Sequence, residues 1–519
     1  MKPLRLSEIA RMTGGRLHGD DRVVSALVTD TRGLTNADNA LFVALQGENF
    51  DGHEHVAALV AGEPAQGQYA TSKVAAALVS RQIDVDLSQV VVSDTQRALA
   101  DLATALQRER HTQVVAITGS NGKTSVKSLL MAILQRAAHL SGDTVYANPG
   151  NRNNEIGLPL AVIDAPGDAR YAVYEMGAGK PGDIAYLTAI ARPDVALVNN
   201  IAPAHLERMG SLLGVADTKA AVYDALPPDG VAVINADDAF GPYFAERAHG
   251  RRLIRFGLEA SADVGARAIR VSETGSDFLM VTPLGEAAIT LGMPGRHNVS
   301  NALAAASLAL GLGIALDVIA GGLNDAQPVA GRLITHRLPG GAVLIDDSYN
   351  ANPGSLAAAI DTLAAMGAPG ADAPGWLVLG DMRELGDDGA AMHAEAGRRA
   401  KAAGIARLYT LGALSAAAAQ AFGARATHYD SHEALAAALR DALQSVGPAC
   451  APTSGAADDV GHPAAPTQRA NQTVRVLVKG SRGSAMDRIV TALLSDATAV
   501  DASPVVAPST GQKGEPDAA

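Results

Sequence analysis

The chain has 519 residues, more than one hydrophobic core can organise, so about three or four domains of ordinary size are expected. Its 48% hydrophobic and 18% charged residues are globular composition and exclude a disordered or fibrous chain, while only 3% aromatic residues leave the cores to small side chains. A formal net charge of −12 disfavours general attraction to nucleic acid or an anionic membrane, so phosphate must be held by local groups.

The opening Met1-Lys-Pro-Leu-Arg-Leu-Ser-Glu has no apolar core or small-residue cleavage pattern, so it does not read as a secretory signal, and a cytoplasmic protein is expected. Residues 1–92 mix short apolar runs, such as the strand-like 41–45, with turn residues, the pattern of a small α/β unit. From Val114 the pattern changes to buried strands at 114–117, 172–175 and 195–199 alternating with helical stretches. That alternation is the signature of a mostly parallel sheet covered on both faces, and it assigns 93–330 to a central domain. The uncharged run 302–316 is too short to cross a bilayer and reads as one buried helix.

After Pro328-Val-Ala-Gly-Arg332 new strand candidates appear at 342–345, 376–379, 408–411 and 474–478, a third α/β unit over 331–497. Within it, 447–471 is rich in Pro, Ala, Gly and Thr without helical period and is expected to be a flexible insertion. The tail 498–519 reads the same way. A single cysteine, Cys450, excludes an intramolecular disulfide and a multi-cysteine zinc site, and fits a reducing compartment.

Chemistry enters at Thr118-Gly119-Ser120-Asn121-Gly122-Lys123-Thr124. Before it lies the strand 114–117, and after it Val126, Leu129, Leu130, Ile133 and Leu134 fall at helical spacing. Between strand and helix, glycines let backbone N–H groups converge on phosphate oxygens, the helix N-terminus adds partial positive charge, Lys123 a full one, and Thr124 can ligate Mg²⁺. The loop is two residues shorter between Gly119 and Gly122 than the general phosphate-loop pattern. At the carboxyl ends of further strands stand Glu175 and, beyond 195–199, His205, placed to meet Mg²⁺ beside a triphosphate. Lys219 falls on a helix after His205. The amide-rich Asn151-Arg-Asn153-Asn154-Glu-Ile-Gly157 suits hydrogen bonding to polar substrate groups.

Together these segments resemble the Mur ligase family over nearly the whole chain. The family has this short phosphate loop, and its central domain carries matches to Asn153-Asn154-Glu-Ile-Gly157, Glu175-Met-Gly-Ala, Ala204-His205-Leu-Glu, Lys219 and Gly295-Arg-His297-Asn298-Val-Ser-Asn301. At the ends, Asp346-Asp347-Ser-Tyr-Asn-Ala-Asn-Pro353, Leu379-Gly-Asp-Met-Arg-Glu-Leu-Gly386 and Val478-Lys479-Gly-Ser-Arg482 look like the branch that adds D-alanyl-D-alanine to UDP-N-acetylmuramoyl-tripeptide. Asp30-Thr31-Arg32 and Gln46-Gly47 are shared with the branch that adds the third amino acid, whose Asp-Asn-Pro-Arg motif is missing here. Ala220 and Ala221 follow Lys219 where many relatives have an acidic residue.

The resemblance implies a three-domain α/β fold: a small N-terminal substrate domain, a central mostly parallel-sheet ATPase domain and a Rossmann-like C-terminal domain. It implies an ATP-dependent ligase in which the tripeptide carboxylate takes the γ-phosphoryl group and D-alanyl-D-alanine captures the acyl phosphate. Thr31, Arg32, Gln46, Gly47, Asn153 and Asn154 would hold the UDP-sugar peptide. Asn298, Asn301, Arg332 and Asp347 would surround the nucleotide, and Lys479 and Arg482 the dipeptide carboxylate. Two Mg²⁺ ions would be held by Thr124, Glu175, His205 and Lys219, the lysine carbamylated. No nucleic acid, no membrane insertion and a monomer are expected. Another amino-acid ligase of the superfamily and a phosphate-loop NTPase switch stand as alternatives.

Overall fold

A computed structural model describes residues 1–31, 37–47, 49–61, 74–203, 206–366, 375–445 and 473–498. Arg32, His205, the 447–471 insertion and residues beyond 498 lie outside the described residues.

Strand Gln113–Thr118 shows how the central sheet is organised. Successive side chains point to opposite faces of a strand. Val114 and Ala116 therefore pack, with Tyr174, Val198, Leu99 and Leu158, into one core, while Val115 and Ile117 join Leu197, Val126, Leu130, Ile133 and Leu303 in another. Each fully buried Val, Leu or Ile contributes on the order of 1.5–3 kcal/mol. The six strands run in the order Arg252–Phe256, Val231–Asn235, Val195–Val198, Gln113–Thr118, Ala169–Glu175 and Thr144–Ala147, all parallel. Loop 119–122 and Glu175 therefore leave the sheet side by side, at the carboxyl ends of neighbouring strands.

Two features differ from the sequence expectation. The run 302–316 is not one helix: Arg296–Gly311 ends there, the chain turns through Gly313 at φ 79°, and a second helix begins at Leu316. The reversal is a backbone event that a side-chain hydropathy pattern does not register. A three-stranded antiparallel sheet, Gly265–Val271, Ser276–Thr282 and Gly285–Leu291, also goes unnamed in the sequence reading. The centre of its middle strand, 278–281, is continuously apolar, so inward Phe278 and Met280 do not stand out from Leu279 and Val281.

The C-terminal sheet has the order Ile334–Arg337, Val343–Asp347, Arg475–Lys479, Gly375–Gly380, Arg407–Leu411, Ala426–Tyr429, parallel except at its first pair. Asp347 and Lys479 end adjacent strands. Near the N-terminus a five-stranded sheet runs Arg16–His18, Ser88–Val91, Ala76–Val79, Ala40–Val43, Ala26–Val28. The last helix, Asp487–Thr498, reaches the start of the expected tail.

Candidate active site

Loop 119–122 folds against the segment that follows Val195–Val198. Asn121 N–H donates to Asn200 Oδ1 at 2.8 Å, Ser120 N–H to the Asn200 carbonyl at 2.9 Å, and Asn199 Nδ2 to the Asn121 carbonyl at 2.9 Å. Gly122 precedes helix Lys123–Ser141 with φ 79°, and a Cβ there would lie 2.4 Å from both Asn199 Nδ2 and Asn301 Oδ1. Only glycine fits that conformation and that gap. Lys123 curls back over the loop, its Nζ 2.7 Å from the Gly119 carbonyl. Burial, and Arg332 to a smaller extent, push its amine below the ordinary lysine range against the pull of Glu175.

A cavity of about 490 Å³ opens over this loop. Gly119, Ser120, Asn121, Gly122, Lys123, Thr124, Asn153, Asn154, Glu175, Lys219 and Arg332 of the expected set line it, together with Asp183, Tyr349, Asn350, Asn352 and Glu384. Glu175 is 4% exposed. Burial drives its carboxyl up, but Lys127, Lys123 and a hydrogen bond from Asn153 Nδ2 at 3.0 Å outweigh that and hold it below the usual range. Its Oε2 receives no hydrogen bond, although Lys127 Nζ stands 3.1 Å away.

Lys219 lies on helix Leu212–Asp224, which Ser211 caps, and is 2% exposed. Burial first, then Lys123, push its amine down to about 7, with Asp183 opposing. Arg332 joins the two halves of the site. Its Nη2 is 3.3 Å from Thr124 Oγ1, its guanidinium sits 4.5 Å from the Tyr349 ring centroid, and its buried Nε has no partner. An unpartnered buried N–H on a permanent cation beside a phosphate-type loop matches an anionic ligand.

A second cavity of about 350 Å³ shares Asn121, Gly122, Arg332 and Ser355 with the first. Asn298, Asn301, His297, Asp347 and Lys479 line it beside apolar Met293, Val329, Leu333 and Ala358. Burial, with Lys479 adding to it, pushes His297 down to about 4, so the imidazole is neutral at neutral pH.

Several expected residues stand elsewhere. Thr118 is fully buried, its hydroxyl donating to the Met176 carbonyl at 3.0 Å, so its side chain is a strand-end tie rather than part of either cavity. Lys479 is 3% exposed and spends its ammonium on Asp347 at 2.5 Å and the Asn350 carbonyl at 3.0 Å. It faces the second cavity. Arg482 lines neither, but its guanidinium is 5.7 Å from the Tyr349 ring that walls the first. Thr31, Gln46 and Gly47 lie in the segments that follow strands Ala26–Val28 and Ala40–Val43 and line neither cavity; Gln46 bridges to Asp51. Arg32 and His205 lie outside the described residues.

Sequence reasoning missed Lys127, Asp183, Tyr349 and Asn352. The last donates to Asn121 Oδ1 at 2.7 Å and ties the C-terminal sheet to the loop. Lys127 carried a signal: it is one helical turn beyond Lys123 and so on the same face.

Among the described residues no three His, Cys, Asp or Glu cluster as a metal cage, and no helix is long and apolar enough to cross a membrane. The oxygen donors beside the loop include the Thr124 hydroxyl and the Glu175 carboxylate, whose Oε2 receives no hydrogen bond. Mg²⁺ binds through one or two carboxylates plus substrate phosphates and water, so these residues fit it.

The family pattern described as Mur ligase middle domain matches residues 117–309, and that described as Mur ligase, glutamate ligase domain, matches 331–450. The UDP-N-acetylmuramoyl-tripeptide–D-alanyl-D-alanine ligase of Escherichia coli (strain K12) is 39% identical over 96% of this chain and 100% of its own. MurF from Acinetobacter baumannii superposes with a TM-score of 0.82 at 30% identity, covering 95% of this chain and 99% of that one. MurF ligase from Thermotoga maritima, solved in complex with ADP, shares the fold with a TM-score of 0.73 at 24% identity over 92% of this chain and 99% of that one. With a matching architecture and 39% identity over 96% of its length, the chain belongs to the Mur ligase family.

Proposed function

We propose that this protein is the ATP-dependent ligase that joins D-alanyl-D-alanine to UDP-N-acetylmuramoyl-tripeptide in peptidoglycan precursor synthesis, releasing ADP and phosphate. The observation that carries the reading is the first cavity, where a phosphate loop, a buried carboxylate, a buried lysine and an amide-rich loop meet groups from the C-terminal sheet.

Two like-charged reactants must be joined. A carboxylate oxygen of the tripeptide attacks the γ-phosphorus and ADP leaves; the dipeptide nitrogen then attacks the acyl carbon, the carbon–oxygen bond to phosphate breaks, and the amine gives up a proton. Both steps rest on charge neutralisation and positioning. Lys123, the N-terminus of helix Lys123–Ser141 and the unpartnered Arg332 Nε are the cations and dipoles for the phosphates. Thr124 and Glu175 would hold one Mg²⁺, and Lys219 with His205 a second. When bound, Mg²⁺ neutralises phosphate oxygens and makes the γ-phosphorus a better electrophile.

Carbamylation of Lys219 requires a neutral amine. An amine titrating at about 7 supplies one at neutral pH, whereas an ordinary lysine is almost wholly protonated there. The second cavity, with an apolar side, amides and the paired Asp347 and Lys479, suits a nucleoside, to which Asn298, Asn301 and Asp347 are assigned. Arg482 is assigned to the dipeptide carboxylate. Lys479, already paired with Asp347, is reassigned to the nucleotide side.

Residues 1–92, with Thr31, Arg32, Gln46 and Gly47, are assigned to the UDP-sugar, 93–330 to ATP and 331–497 to the dipeptide. We place the reaction in the cytoplasm, where ATP and nucleotide-linked precursors meet. A monomer is proposed because one chain furnishes every group named.

The test is phosphate release from ATP by the purified protein with UDP-N-acetylmuramoyl-tripeptide and D-alanyl-D-alanine, singly and together. Release that needs both is expected; release independent of both would sink the ligase reading.

A further inference from the structure

Lys127 has no part in the chemistry above, yet it is among the most thoroughly enclosed cations in the molecule, 8% exposed. It stands one turn behind the phosphate-loop lysine on helix Lys123–Ser141 and points away from solvent, into the space between that helix and the amide-rich loop. Its ammonium meets three oxygens from two segments: the Asn148 carbonyl at 3.2 Å, the Gly150 carbonyl at 3.5 Å and Glu175 Oε2 at 3.1 Å. Two of its donors reach backbone carbonyls, and the ammonium meets Glu175 Oε2 as an ion pair without hydrogen-bond geometry.

Around that ammonium the two segments are stitched a second time. The Asn148 side chain takes the Glu175 N–H at 2.9 Å and gives its own N–H groups to the Glu175 and Arg152 carbonyls at 3.0 and 2.9 Å. Asn153 Nδ2 donates to Glu175 Oε1, and the Gly177 N–H to the Asn153 carbonyl at 2.8 Å. Loop 148–154 has no helix or strand of its own between Thr144–Ala147 and Gly157–Asp164, so side-chain ties are what fix it. Lys127 is the tie that comes from the nucleotide-binding helix.

We propose that Lys127 is a positioning residue that anchors the amide-rich loop 148–154 to the nucleotide-binding helix, and so presets Asn153 and Asn154 for the peptide substrate. The inference rests on the ligase reading above and deepens it. A plain electrostatic role is the rival: a lysine whose sole task is to neutralise Glu175. The two roles part company once Glu175 is made neutral, because the carbonyls of Asn148 and Gly150 still need the ammonium to hold the loop, whereas a counter-charge is no longer needed.

Lys127→Met alone leaves a buried carboxylate without its closest cation and is prone to misfold. The informative pair is therefore Glu175→Gln against Lys127→Met/Glu175→Gln, in which the buried ion pair is replaced by neutral groups of similar size. Binding of UDP-N-acetylmuramoyl-tripeptide is measured by calorimetry without metal or ATP, and hydrogen exchange of segment 148–157 is followed in the ligand-free proteins. The double variant is expected to bind the UDP-peptide at least tenfold more weakly than Glu175→Gln and to exchange that segment at least tenfold faster, while the remainder of the central sheet exchanges alike in both. Equal affinity and equal exchange in the two variants would overturn the proposal and leave Lys127 a counter-charge. Phosphate release from ATP by the wild-type protein that is independent of the UDP-peptide and of D-alanyl-D-alanine would overturn the ligase reading, and this inference with it, so the two failures are distinguishable.

Discussion

The two cavities that meet at Asn121 and Gly122 are made of opposite materials. The first is walled by Lys123, Glu175, Lys219, Asp183 and Arg332, charges held at fixed places; the second, which shares Arg332, sets Met293, Val329, Leu333 and Ala358 beside a few amides, and its own charges, Asp347 and Lys479, are paired with each other. Buried charges are costly to assemble and strong once assembled, since water no longer screens them. Apolar walls cost little and act through shape. The first cavity is thus suited to stabilising charge that appears during reaction, the second to holding an uncharged ring. Substitutions in the first should be read in kcat, and those in the second in KM.

The largest effect is expected at Lys123. Lys123→Ala removes the cation nearest the loop carbonyls without touching core volume, and turnover should fall by about 10³-fold or more, with an unchanged circular dichroism spectrum. Near-normal kcat would mean that the charged cavity is not where phosphoryl transfer occurs.

Lys219 gives a test in which stability and activity move oppositely. Its folded pKa is depressed to about 7, so between that value and the ordinary lysine range the unfolded chain binds more protons than the folded one. Stability therefore rises with pH through that window, and the penalty is fully present at and below about pH 6. Lys219→Met should abolish turnover yet raise the melting temperature, more at pH 6 than at pH 9, by a gain on the order of a few kcal/mol. A loss of stability at pH 6 would show that the amine is charged and paired in the folded protein.

A middle-sized effect belongs to the C-terminal wall. If Arg482, stacked near the Tyr349 ring, receives the dipeptide carboxylate, then Arg482→Ala should raise KM for D-alanyl-D-alanine about 10- to 100-fold and leave KM for ATP within about twofold. Initial-rate measurements with each substrate varied would report the split. An effect on ATP alone would move Arg482 to the nucleotide side.

How much of this was legible in the sequence follows the same division between local and distant. The loop 118–124 is a continuous segment whose strand, turn and helix are encoded by neighbours, so its place could be read directly. Glu175 could be read as a strand-end residue because strand polarity is local. What could not be read is which strand lies beside which: Ala169–Glu175 pairs with Gln113–Thr118 through a register set by packing across some 50 intervening residues. Lys479 shows the cost. Its motif pointed to the dipeptide, but Asp347, from a strand 132 residues away, takes its ammonium. Thr118 was included as part of a motif, whereas its hydroxyl donates to the Met176 carbonyl.

The smallest effect tests the second cavity by shape alone. Ala358 lines it from helix Pro353–Ala365, whose cap Asn352 also contacts the phosphate loop, so the helix itself should not move. Ala358→Leu adds three methylene-sized groups on a favourable helical residue and removes no hydrogen bond, because the contact made here by Ala358 is a backbone carbonyl accepting from Thr362. The added volume occupies space that the ring would need, and a steric block acts equally on ground and transition states. KM for ATP should therefore rise about tenfold while kcat stays within about twofold. If kcat fell as steeply as in Lys123→Ala while KM held, the apolar cavity would be taking part in the charge chemistry, and the division between the two cavities would have to be redrawn.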